Sequence, residues 1–283
     1  MGKNCLEKIE VNENRKKTFT ILGYSIWRIL AYFIIYSVFG FVVETLYGAM
    51  TKGVIESRQS FLYGPFCSIY GLGAVIMIIF LQYFKKNNNT LFWGGFLIGS
   101  VTEYLVSLIG ELILNVKWWD YSNMPLNIDG RICVFFSIFW GLLAIYLMTY
   151  INPKIDRLIE RVKKKFSMKA LKTITITVIV LLFINCVITG YAIEVFQLRM
   201  VYNHNIDVNM EKSKIEEIYN KIYGNKEKAN FIYKYFGDKK MIRTFPNLKI
   251  EDANGNMVYL DSLLPDIQPY YYKFQHGVGL NKK

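Results

Sequence analysis

Residues 44–73 read ETLYGAMTKGVIESRQSFLYGPFCSIYGLG, joining two apolar stretches and carrying charges at depths that lipid disfavours. Glu44 lies four residues after Gly40 and four before Gly48. On a helix its carboxylate therefore shares a seam of small residues that lets a neighbouring helix approach closely. An ionisable group inside a spanning helix costs about 2.5 to 3.5 kcal/mol on insertion scales, so Glu44 is expected to have a partner. Arg58, in the loop that follows, is the basic candidate.

Composition agrees with a chain built for lipid. Of 283 residues, 53% are hydrophobic and 16% aromatic, which departs from an ordinary soluble domain and matches a multi-span membrane protein. The net charge of +12 does not point to nucleic acid, because Lys and Arg gather beside apolar stretches, where the positive-inside rule places them. Cys5, Cys67, Cys133 and Cys186 are scattered singly, without the close pairs of a zinc site or redox motif. Both histidines, His204 and His276, fall in the C-terminal tail. No metal centre, cofactor site or histidine-based triad is expected in the membrane. The polar N-terminus has no early apolar core, so no cleavable signal peptide is expected, and Leu6 breaks the myristoylation pattern that Met1-Gly2 suggests.

Apolar windows at Trp27–Met50, Phe66–Phe84, Leu91–Leu114, Ile132–Ile151 and Leu171–Phe196 predict a bundle of about five transmembrane helices, an all-α membrane protein. Basic residues concentrate in 1–26, at Lys85 and Lys86, and between Lys154 and Lys172. The opposite side carries only Lys52, Arg58, Lys117 and Arg131 before the tail. This bias predicts a cytoplasmic segment at 1–26, a transmembrane domain at 27–198 and an external module at 199–283. In the module, Glu211–Tyr223 and Lys226–Phe236 have apolar helical faces interrupted at Gly224, and Asn254-Gly255 between β-prone runs signals a hairpin. A small α+β tail is expected.

With that orientation, Glu44, Arg58, Glu103, Glu111 and Arg131 gather in the outer half of the membrane, with Glu194 near them. The third window has the sharpest pattern: Gly95, Gly99, Glu103, Ser107 and Glu111 recur every fourth residue. Such a row drifts only about 40° per step and suits a tightly crossing neighbour. Tyr36, Gly40, Glu44 and Gly48 repeat the spacing in the first window, and Cys186, Gly190 and Glu194 repeat it in the fifth. Gly40, Gly48, Gly95 and Gly99 read as helix-packing positions whatever else the stripes do. The charged residues read either as the wall of a substrate path or as buried structural pairs.

The loop after the third window carries Trp118, Trp119, Asp120 and Tyr121, then Pro125 and Asp129-Gly130 before Arg131. The aromatics suit the interfacial belt, and the turn residues predict order over the bundle, in which a lid above the polar cluster is one alternative. Between the fourth and fifth windows, Ile155, Leu158, Ile159, Val162 and Phe166 fall at helical spacing opposite basic residues. This stretch reads as an amphipathic helix at the cytoplasmic surface or a solvated charge run.

Several segments together resemble the bacterial ABC-transporter permease family of the CmpB type. They are Glu44-Thr45-Leu46-Tyr47, Phe61-Leu62-Tyr63-Gly64-Pro65-Phe66-Cys67 and Ile69-Tyr70-Gly71, then Trp119-Asp120-Tyr121-Ser122, Pro125-Leu126-Asn127-Ile128 and Gly130-Arg131-Ile132-Cys133. Arg243-Thr244-Phe245-Pro246-Asn247-Leu248 is similar to longer members. Two departures stand out. The family usually has Asn-Arg-Gly where this chain has Ser57-Arg58-Gln59, and Cys-Pro where it has Cys67-Ser68. The absent proline implies a straighter start to the second helix.

The resemblance implies a transport component, and a permease of this kind needs a separate ATPase, because the chain has no GxxxxGK[ST] loop. The basic stretch between the fourth and fifth windows is the candidate docking surface. The alternative is a non-transport scaffold or sensor that presents its tail to a partner. An intramembrane enzyme is disfavoured: there is no HExxH and no convincing nucleophile–base pair, and no catalytic residue is expected, Cys67 near Glu44 and Arg58 being the nearest approach to one. Five spans are few for a complete pathway, which suggests a homodimer joined through the glycine stripes.

Overall fold

The computed structural model describes residues 20–114 and 119–274. Most of the predicted N-terminal segment, Cys5, Lys117, Trp118 and His276 lie outside the described residues. A two-residue hairpin, β1 (Thr20–Ile21) and β2 (Tyr24–Ser25), leads into helix α1 (Ile26–Lys52). Ser25 caps α1 by accepting from the Arg28 amide, and Gly53 ends it in a left-handed conformation at φ 67°. With 27 residues, α1 is about 40 Å long, enough to cross a bilayer.

After β3 (Val54–Glu56) and an irregular loop comes helix α2 (Ser68–Leu81), extended by a 3-10 turn at Gln82–Phe84. Helix α3 (Asn88–Leu114) follows, then a hairpin of β4 (Asn127–Ile128) and β5 (Ile132–Cys133). Helix α4 (Val134–Tyr146) runs through a π-helical segment, Leu147–Ile151, into α5 (Asn152–Lys165) without a break. The last long helix, α6 (Met168–His204), has 37 residues and is about 55 Å long, more than a bilayer needs.

Four of these helices are long and apolar enough to cross a membrane: α1, α3, the continuous α4–α5 rod and α6. The fifth apolar helix, Ser68–Phe84, is shorter. It runs antiparallel to α1, with Tyr70 against Gly40 and Gly71 against Ser37, while the Gln82 side chain donates to the Leu22 carbonyl. Its first turn thus sits level with the middle of α1. The remaining depth is filled by loop 57–67, which the Cys67 amide anchors by donating to the Ser37 carbonyl at 2.8 Å. Irregular backbone at that depth is tolerated because protein covers it: Phe61, Leu62 and Cys67 are buried. Position 68 is the first residue of α2, where a proline would not kink a helix. The predicted straightening therefore does not arise. Ser68 instead uses its amide to donate to Ser60 Oγ at 3.0 Å, a bond proline could not make.

The glycine rows of α1 and α3 are packing seams within the chain. A Cβ at Gly95 would collide with Ala144, one at Gly99 with Trp140, one at Gly40 with Tyr70, and one at Gly48 would press on the Arg58 guanidinium. Gly141 faces Phe92 in return. These contacts occupy the α1 and α3 stripes within the chain, so of the three rows expected to join two copies only that of α6 is left open. The third row is no seam: nothing lies within 4 Å of a Cβ on Gly190, and Cys186 and Glu194 are exposed.

The tail folds onto the projecting end of α6. Helices α7 (Lys212–Tyr223), α8 (Lys226–Phe236) and α9 (Asp238–Thr244) precede a hairpin of β6 (Lys249–Glu251) and β7 (Met257–Tyr259), which turns through Gly255 at φ 81°. One core unites Ala192, Val195, Phe196 and Met200 of α6 with Ile232, Phe236, Met241, Ile242 and Leu260 of the tail. A last strand, β8 (Tyr270–Lys273), pairs antiparallel with β3, tying the tail to the loop after α1.

Candidate functional site at the tail end of the bundle

The predicted charges do gather toward the tail end, but as separate pairs. Glu103, only 8% exposed, accepts from Tyr121 Oη at 3.0 Å on Oε1 and from Trp140 Nε1 at 2.9 Å on Oε2. Both donors are neutral, and among the described residues no cation lies in ion-pair range. Tyr121 reaches Glu103 because the loop that carries it is tied to the β4–β5 turn and packs on α4. The Tyr121 amide donates to the Gly130 carbonyl at 2.7 Å, and its ring stacks on Phe136 at 4.6 Å. Left-handed backbone at Leu126, Asp129 and Gly130 makes the tight return. Asp120 accepts from the Ser122 amide and hydroxyl, while Trp119 Nε1 donates to the Arg131 carbonyl at 2.9 Å.

Further along the same row of α3, Arg131 pairs with Glu111 at 2.5 Å, donates to Ser107 Oγ at 3.1 Å and lies over the Tyr104 ring. Asp129 accepts from Tyr104 Oη at 2.8 Å, on the ring that Arg131 also covers.

Glu44 does not take Arg58 as its hydrogen-bond or ion-pair partner. Its Oε1 accepts from Tyr70 Oη at 2.5 Å, while Arg58 pairs with Glu56 at 2.7 Å. Glu56, 7% exposed, also takes Lys52 at 2.8 Å. The reason is geometric: β3 turns Glu56 inward beneath Arg58, whose guanidinium lies flat on Gly48, one helical turn beyond Glu44. Sequence reasoning passed over Glu56 because it lies outside the apolar windows. Glu44 also lies within electrostatic range of Tyr121, the tyrosine that donates to Glu103.

Loop 57–67 forms the floor of this region. Gly64, at φ 84°, and Pro65 make a turn closed by the Phe66 amide donating to the Gly64 carbonyl, and Ser60 bonds back to the Phe66 carbonyl. Gln59 donates to the carbonyls of Phe61 and Leu62, a bracing role open to a glutamine and not to the family's glycine. Two side chains of α6 hold the loop: Thr189 Oγ1 accepts from the Leu62 amide, and Asn185 bonds both the amide and the carbonyl of Tyr63.

A second polar network, at the opposite end, was missed entirely. Arg28 pairs with Asp156 at 2.7 Å and Glu160 at 3.6 Å, and Tyr32 bonds both Arg28 and Asp156. Asn152, buried, links Asp156 to Tyr36. The one readable signal was Asp156 on the apolar side of the amphipathic stretch, beside Ile155 and Ile159. That stretch is helical, the first of the two readings, and continues the α4 rod, with Ile159 buried and Lys154, Arg157 and Arg161 exposed. Among the described residues no group of histidine, cysteine or acidic side chains could hold a metal ion.

Long apolar helices, close glycine crossings and acids buried among aromatic donors define a membrane protein that keeps polar groups inside its bundle. Its family is specific: the chain belongs to the ABC-transporter family of the CmpB type, described as "Putative ABC-transporter type IV", whose model matches residues 31–190. The matched region runs from α1 into α6 and so includes the first polar network whole and the second apart from Arg28. No curated protein and no solved structure matches the chain. The family points to a role in membrane transport rather than catalysis.

Proposed function

We propose that the chain is the permease-like subunit of an ABC-type transport system in the bacterial cytoplasmic membrane, with Glu44 and Glu103 on its substrate path. The observation that carries this reading is Glu103, a carboxylate deep in the bundle that is held by two neutral aromatic donors and, among the described residues, has no cation in ion-pair range. A purely structural acid is expected to be ion-paired, as Glu56 and Glu111 are. Arg58, Glu111 and Arg131 frame the same region and set its charge balance. The basic bias at the end opposite the tail supports a cytoplasmic N-terminus and an external tail.

A separate ATPase then meets the cytoplasmic end, where α5 presents Lys154, Arg157 and Arg161. The scaffold reading draws support from the tail, which has its own core on α6 and a strand shared with the first loop. ATP turnover by the chain reconstituted in a lipid bilayer with its ATPase distinguishes them. The double substitution Glu44→Gln and Glu103→Gln should lower coupled turnover at least about tenfold without loss of folded protein, a loss of about 1.4 kcal/mol in barrier terms. Unchanged turnover would sink the lined path.

A further inference from the structure

The tail holds a cavity that the transport reading does not use. Its volume is about 470 Å³, and it is lined by Tyr233, Lys234, Lys239, Lys240, Arg243 and Tyr271 among others. The single acid in its wall, Asp238, is turned away to Arg199 at 2.5 Å. Among the described residues none of the four cations makes an ion pair. Lys240 Nζ donates to Tyr63 Oη at 3.1 Å, Arg243 Nε donates to the Gln268 carbonyl at 3.3 Å, and Lys234 lies over the Tyr235 ring. Every one of these partners is neutral.

Four like charges along the wall of one concavity, none of them in an ion pair among the described residues, raise its potential and repel one another, and a bound anion relieves both effects. A single carboxylate would need only one guanidinium. Three ammonium groups beside a guanidinium instead match an oxyanion with several charged oxygens. Tyr233 and Tyr271 add amphipathic walls for whatever the anion is attached to. We propose that this cavity binds the phosphate group of a phosphorylated ligand. The site stands independently of the transport reading. Its Lys240–Tyr63 contact sets it against the loop that descends into the bundle, so the phosphate belongs either to a dissolved compound or to a lipid headgroup at the adjoining membrane surface.

The full chain in nanodiscs of phosphatidylcholine alone, titrated calorimetrically with pyrophosphate, tests this. Saturable binding that weakens with salt is expected. The double substitution Lys234→Ala and Lys239→Ala should weaken it at least about tenfold, while Lys212→Ala with Lys214→Ala leaves it unchanged. Both pairs are exposed, so folding is preserved and thermal unfolding confirms it. Repeating the titration in phosphatidylglycerol discs separates the sources. A headgroup ligand competes and lowers pyrophosphate affinity in the wild type only, and a dissolved ligand leaves it unaltered; either result supports the site. Absence of saturable binding in both discs, or equal losses in the two lysine pairs, would overturn it.

Discussion

Tyr121, in the loop before the β4–β5 hairpin, donates its hydroxyl to Glu103, near the middle of α3, at 3.0 Å. A loop side chain thus reaches a carboxylate that would otherwise face the apolar bundle. Tyr121→Phe should cost about 1–3 kcal/mol, because it leaves a buried acceptor short of a donor while changing little volume. Adding Glu103→Gln should recover part of that loss. Thermal unfolding of the two single variants and the double variant measures the coupling, and strictly additive effects would count against the bond.

Glycine rows of equal spacing are not equivalent. Gly95→Leu should destabilise by about 3 kcal/mol or more, since its side chain meets Ala144 and the Trp140 carbonyl on α4. Gly190→Ala, which meets nothing, should stay within about 0.5 kcal/mol. The yield and unfolding temperature of the two variants in detergent decide the matter.

Arg58 is expected to depend on Glu56 and to be indifferent to Glu44. Glu56→Gln should destabilise by about 1–3 kcal/mol by removing the charge that holds both Arg58 and Lys52. Exchanging Glu44 and Arg58 should fail to restore stability, whereas a direct pair would tolerate the exchange. Chemical denaturation of the Glu56→Gln variant and the exchanged variant provides the comparison.

Arg199 anchors the tail from within. It is fully buried, pairs with Asp238, donates to the Phe236 carbonyl and Tyr223 Oη, and lies over Phe196, Tyr223 and Tyr233. Arg199→Ala removes one side of a buried charge pair and should cost about 3–5 kcal/mol. Limited proteolysis should then cut the tail while leaving the bundle intact.

The sequence made the bundle legible because lipid imposes length and apolarity on any helix that crosses it. The α3 row was legible for a related reason: glycines four residues apart let a neighbouring helix close in, and at Gly95 and Gly99 Ala144 and Trp140 do so. Pairings between distant segments left no local trace. Glu56 looked like an ordinary loop acid until β3 met β8, more than two hundred residues later, and turned it under Arg58. Arg199 looked like the charged end of a span, although its aromatic surroundings come from α7 and α8. The second window, Phe66–Phe84, matches α2 and its 3-10 turn to within two residues, but nothing in it showed that loop 57–67 fills the depth this shorter helix leaves.

The most direct measurement is gentle affinity recovery of the tagged chain from native membranes, with identification and counting of what accompanies it. A permease-like subunit predicts a P-loop ATPase in stoichiometric amount, lost when Lys154, Arg157 and Arg161 are made acidic. Reproducible absence of any ATPase, with an envelope protein retained through the tail instead, would contradict the transport account and favour a scaffold.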